Sequence, residues 1–188
     1  MMASIKGFHL KNVKTTLGIE GRGTIASMYF NGKKVGTYND YGTGGCADIS
    51  FVSAEAEEKV YKAMIAYAKE RIVDEHCGFL VKLYEERPEQ YQETCERFLK
   101  HHPYIPEGDI TVKTMAFDSI ECFVEDVRTL MEIEKIFKKQ SKKGYKAIGV
   151  LDNEIVSYPD GMTDEEIQRH ANSNDYTLYT SLDDFDIK

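Results

Sequence analysis

The chain has no tryptophan and is sparing with cysteine and proline, four of each in 188 residues. Cys46, Cys77, Cys95 and Cys122 stand far apart and form no C-x-x-C pair. That argues against a zinc knuckle or a redox dithiol and leaves reduced, partly buried thiols as the expectation. The five histidines, His9, His76, His101, His102 and His170, supply no ligand spacing to go with them, so neither a metal nor another cofactor is expected. No apolar run approaches the ~18 residues that a spanning helix needs. The opening MMASIKGFHLKNVK lacks the continuous apolar stretch of a secretory signal, so a cytoplasmic location with no membrane partner is expected.

What is present suits a globular α+β protein. Hydrophobic residues make up 41% and charged residues 30%, enough of each for a core and a solvated surface. A chain of this length can bury roughly two thirds of its unfolded surface. The net charge of −8 is uneven: residues 1–50 carry six basic and three acidic side chains, whereas residues 151–188 carry two and ten. Phosphate repels such an acidic end, so nucleic acid is not expected as the main ligand; a basic protein surface, such as a nuclease channel, would attract it.

The segment Arg22 to Phe51 organises the front of the chain. Asn31-Gly32 between two alternating runs signals a two-residue type I′ hairpin, because both central positions need positive φ. The loop predicts Phe30 opposite Lys33, Met28 opposite Val35, Ala26 opposite Thr37 and Ile25 opposite Tyr38. Ile5 to Val13 reads as an opening strand, and Leu17 to Gly23, with three glycines, as a connection. The bend Gly42-Thr43-Gly44-Gly45-Cys46 leads to a further strand around Ile49 and Phe51.

Ser53 followed by Glu55, Glu57 and Glu58 predicts a helix from about Ala54 to Asp74, its apolar face formed by Val60, Met64, Tyr67, Ala68 and Ile72. Gly78 would stop it before the apolar run Phe79 to Tyr84. Pro88 suits the first turn of a second helix, with Tyr91, Cys95, Phe98 and Leu99 as its stripe. Pro103 and Pro106 make 101–109 the candidate linker, so the expected domains are 1–102, an antiparallel sheet with two helices, and 110–188, or the two run together as one. Beyond the linker come a strand at Ile110 to Met115 and a helix opened by Asp118 and Glu121, carrying Ile120, Phe123, Val124, Val127, Leu130 and Met131 inward. Its lysines before Gly144 read as capping chemistry. A hairpin over Tyr145 to Tyr158, a T-x-x-E box at Thr163 and Glu166 opening a short helix, and a last strand over Tyr176 to Leu182 complete the chain.

No catalytic constellation emerges from the residue types. Gly42 to Gly45 lacks the G-K-[ST] ending of a phosphate loop and leads into a strand. Cys46 has the local geometry of a nucleophile, but no base is assigned to it. Asp40 and Asp48 flank the bend and could pair over a divalent ion. A small metal-assisted enzyme built on that loop is therefore one alternative, and a structural or regulatory protein that self-associates through its tyrosines is another.

The motif LKNVK at Leu10 to Lys14, the hairpin carrying Ala26, Met28, Tyr29, Asn31 to Lys33, Val35 and Gly36, and the bend with Asp40, Gly42, Gly44 and Gly45 together resemble small accessory proteins of phages and prophages of Gram-positive bacteria. The resemblance covers about the first quarter of the chain. It implies a non-enzymatic binding protein in the cytoplasm of the bacterial host, an inhibitor of a defence protein such as an anti-CRISPR protein acting on a Cas9-type nuclease. Asp164, Glu165, Glu166, Asp183, Asp184, Asp186 and Tyr41 are the candidate partner-binding residues, with no catalytic, metal or cofactor residue assigned and a homodimer left open.

Overall fold

A computed structural model describes residues 2–45, 47–70, 87–101, 120–152 and 154–188. The fold is α+β, with strands in two sheets, one of six strands and one of three. Two compact units divide the chain: one is Ile5–Asp126, and the other joins Met1–Ser4 to Val127–Lys188.

In the first unit, β2 (Phe8–Leu17), β3 (Arg22–Phe30), β4 (Lys33–Asn39) and β5 (Asp48–Phe51) form an antiparallel meander. Asn31 and Gly32 have φ of 47° and 78°, the two positive values that the type I′ loop requires. Phe30 faces Lys33 as the loop predicts, Tyr29 faces Lys34 in the same register, and beyond that pair the expected register ends. Met28 lies opposite Gly36, Ala26 opposite Tyr38 and Ile25 opposite Asn39, because Val35 is an extra residue that β4 accommodates as a bulge. The bulge turns Val35 and Gly36 inward in succession. A Cβ on Gly36 would come within 2.7 Å of the Met28 Cε and closer still to the Ser50 carbonyl, so only glycine fits there. A second bulge breaks the β2–β3 register between Lys11 and Lys14, with Asn12 at a φ of 55°. The opening strand is interrupted too: Lys6 and Gly7 turn the chain with φ of 51° and 79°, so that Ile5, in β1 (Ser4–Ile5), faces Phe8.

The inner face of this sheet presents Phe8, Leu10, Ala26, Met28 and Tyr38, all buried. Helix α1 (Ala54–Glu70) covers it with Ala56, Val60, Ala63 and Met64. Ser53 caps that helix, its Oγ accepting the Ala56 N–H at 3.2 Å. Helix α2 (Pro88–His101) begins at its proline and exposes the polar residues between its expected apolar positions. The first turns of α3 (Ile120–Ser141) bring Phe123 onto the core, 5.0 Å from Phe8 and 5.9 Å from Tyr67 between ring centroids. Cys122, beside it on the outer side of the helix, is exposed where a partly buried thiol was expected, because Phe123 and Val124 take the inward positions.

In the second unit α3 continues with Val127, Leu130, Ile133 and Phe137 buried. Met131 is only half-buried, and Glu134 occupies the inward position that helical spacing reserves for an apolar residue. The hairpin of β6 (Tyr145–Leu151) and β7 (Glu154–Pro159) turns at Asp152, as expected, and β8 (Thr177–Tyr179) adds on the other side of β6. Between them α4 (Asp164–Ser173) buries Ile167 and Ala171. The expected strand to Leu182 stops at Tyr179, because Ser181 and Asp184 form a capping box that opens a 3-10 helix (Leu182–Phe185). That turn places Phe185, fully buried, 4.8 Å from the Tyr179 ring and 5.6 Å from Phe137. β9 (Asp186–Ile187) follows it.

The expected end of the first helix near Asp74, the Gly78 stop, the run Phe79 to Tyr84, the linker prolines, the strand at Ile110 to Met115 and Asp118 lie outside the described residues. So do Cys46, Cys77 and the side chains of the α2 stripe.

Candidate protein-binding surface

Six of the seven candidate residues fall in the second unit, on α4, the 3-10 helix and β9, and Tyr41 falls in the first. Three acids open α4. Asp164 pairs through Oδ1 with the Lys146 Nζ at 2.8 Å, Glu165 is exposed, and Glu166 completes the cap. Its Oε2 accepts the Thr163 N–H at 2.8 Å while the Thr163 Oγ1 accepts the Glu166 N–H at 3.2 Å. Those bonds from the Thr163 backbone and hydroxyl hold the Glu166 carboxyl below its ordinary pKa.

The second cap repeats this chemistry. Partial burial of Asp184 opposes its charge, but Oδ2 accepts the N–H groups of Thr180 at 2.6 Å and Ser181 at 2.9 Å, and the net pKa shift is downward. Asp183 is exposed beside it. Asp186 is half-buried and accepts a hydrogen bond from the Ser4 hydroxyl. Glu166, Asp184 and Asp186 are thus tied into local structure, and this fixes where their charge lies. Of the ten acidic side chains in residues 151–188, nine are exposed.

Beside α4, a cleft of about 460 Å³ has an apolar floor of Ala147, Ile167 and Leu178 between the Lys146–Asp164 pair and Thr180. Further along this helix the Tyr158 hydroxyl meets the His170 Nδ1 at 3.0 Å, and the His170 ring stacks 6.0 Å from Tyr176. Burial pushes the Tyr158 pKa up. A Cβ on Gly149 would lie 3.0 Å from the Tyr158 hydroxyl, so glycine in the central strand admits this ring.

In the first unit the glycine bend is a packing device. Asp40 Oδ1 accepts the Gly42 N–H at 2.8 Å, and Glu20 donates its N–H to the Gly42 carbonyl at 3.0 Å. A Cβ on Gly18 would come within 2.5 Å of the Gly42 carbonyl carbon, and one on Gly23 within 2.5 Å of the Gly42 nitrogen. Two glycine-bearing loops therefore lie backbone against backbone. Asp40 is engaged in its own turn, and Asp48 is exposed on β5, where it faces Asn39. Among the described residues no group of three or more His, Cys, Asp or Glu side chains is placed to hold a metal ion.

Tyr38 ends the inner face beneath this bend with its pKa pushed up to about 12, first by burial and then by the negative charges of Glu121, Asp40 and Glu125. Glu121, expected to close a capping box, turns its Oε1 to the Ala47 N–H at 2.8 Å. On the outer face of the sheet Lys11 stands 4.4 Å over the Tyr29 ring, and His9 stacks on the same ring at 5.5 Å. His9 and Tyr29 face each other across the β2–β3 ladder, whose register the Asn31-Gly32 hairpin does not set, so no signal of this pair stands in the sequence.

No family model, curated protein or solved structure matches the chain. No helix among the described residues is long and apolar enough to cross a membrane.

Proposed function

We propose that this chain is a non-enzymatic, phage-encoded inhibitor that binds a bacterial defence protein, with a Cas9-type nuclease as its target. The observation that carries the reading is the exposed acid of residues 151–188, partly fixed in place by the caps of α4 and the 3-10 helix. A channel built to hold nucleic-acid phosphate presents dense basic charge, and an acidic protein surface of fixed shape competes for it by the same electrostatics. The opening motif, with its resemblance to phage accessory proteins, supports the same reading.

The test is to mix the purified protein with a Cas9-type nuclease and its guide RNA at low salt before adding target DNA. Cleavage should fall as the protein is titrated in. Undiminished cleavage at excess protein overturns the nuclease as target.

A further inference from the structure

The least expected side chains on the molecule are Leu17 and Ile19, which are 85% and 96% exposed. They flank Gly18 in the β2–β3 connection, and Tyr41, 50% exposed, belongs to the loop that Gly18 packs against. These loops are tied down. Gly18 donates to the Gly21 carbonyl at 2.8 Å, Glu20 to Gly42 at 3.0 Å, and the Thr16 hydroxyl to Asp40 at 3.0 Å. An aliphatic tip on backbone this firmly held is preorganised for contact, since little conformational freedom remains to be lost on docking.

We propose that this tip binds a second copy of the chain, tip to tip, about a twofold axis. The charges beside it are self-complementary: Glu20 and Arg22 are both exposed, and Arg22 stands directly across the ladder from Leu17. In an isologous contact each residue meets the partner of its counterpart, so one Glu20–Arg22 pair forms on each side of a centre made of Ile19, Leu17 and Tyr41. Three side chains per copy bury less than the ~1,200 Å² of a standard interface, which makes the dimer weak and concentration-dependent. This inference stands apart from the nuclease reading and uses a different surface.

Light scattering across roughly 20 µM to 1 mM, where contacts of this size operate, tests it. The mass should rise toward twice the monomer, and Ile19→Asp should abolish the rise with the circular dichroism spectrum unchanged, because the Ile19 side chain is in solvent. Arg22→Glu alone should weaken association at least tenfold, and adding Glu20→Arg to it should restore the wild-type curve. A protein that stays monomeric throughout overturns the proposal, whether or not the tip then binds anionic lipid vesicles or a foreign protein. So does association that Ile19→Asp leaves intact, or a charge swap that fails to rescue.

Discussion

Gly18 and Gly45 differ in what stands beside them. A methyl group at Gly45 meets nothing within 4 Å, and one at Gly18 runs into the backbone of the neighbouring loop. Gly18→Ala should therefore lower stability by about 1–3 kcal/mol, the usual cost of forcing atoms into a packed place. Gly45→Ala should stay within about 0.5 kcal/mol of wild type. Chemical denaturation of the two variants checks the contrast, and equal stabilities would show that the loops do not pack as described. At this scale the sequence was legible wherever the chemistry is local. Asn31-Gly32 names its own turn, and Ser53 and Thr163 name their own caps. Val35 and Asn12 gave no such signal: a bulge is decided by what the two strands must bury together, and the alternation of one strand carries no record of it. Phe185 was hidden for a related reason, since three aspartates within three residues of it suggest solvent while its ring sits in the core.

The two capping boxes make an element-scale prediction. Thr163→Ala should cost about 0.5–2 kcal/mol through α4. Glu166 and Asp184 both have folded-state pKa values below their ordinary 4.5 and 3.8, so each adds stability at pH values above its ordinary pKa. That contribution fades as the pH falls through the depressed folded values. Thermal melts from pH 7 to pH 3 should show wild type losing its advantage over Glu166→Gln and Asp184→Asn as the acid range is entered; a constant gap would mean that the caps do not hold ionised carboxylates. Helices were the most legible elements, because their apolar positions recur at fixed spacing. The exception is Glu134, seven residues after Val127 and between Ile133 and Phe137, where the spacing marks an inward position. The last strand was overextended because Tyr179 and Leu182 look alike as apolar residues, and the turn between them depends on a carboxylate reaching back to two amides.

For the molecule as a whole, charge distribution makes the prediction. Glu165→Lys with Asp183→Lys reverses two exposed acids outside both capping carboxylates, leaving the fold intact. If the acidic surface engages a basic channel, this variant should inhibit the nuclease less, and its inhibition should depend less steeply on ionic strength than that of wild type. Equal salt dependence in both proteins would place the contact elsewhere. The α+β class and the polarity of the charge were legible from composition and order alone. The division into units was not, because Met1–Ser4 joins residues more than a hundred positions away. The Ala3 N–H donates to the buried Glu134 at 3.2 Å, Lys138 pairs with the same carboxylate at 2.7 Å, and Ser4 bonds Asp186. No pattern inside MMAS announces those partners.

That clasp has a consequence for how the protein is made. Asp186 follows Ser4 by 182 residues in the chain, so the second unit cannot close until the whole of that intervening stretch has been synthesised. The meander of the first unit can pair before Asp186 is made, so Ser4 waits for its partner while the strands that follow it are already joined.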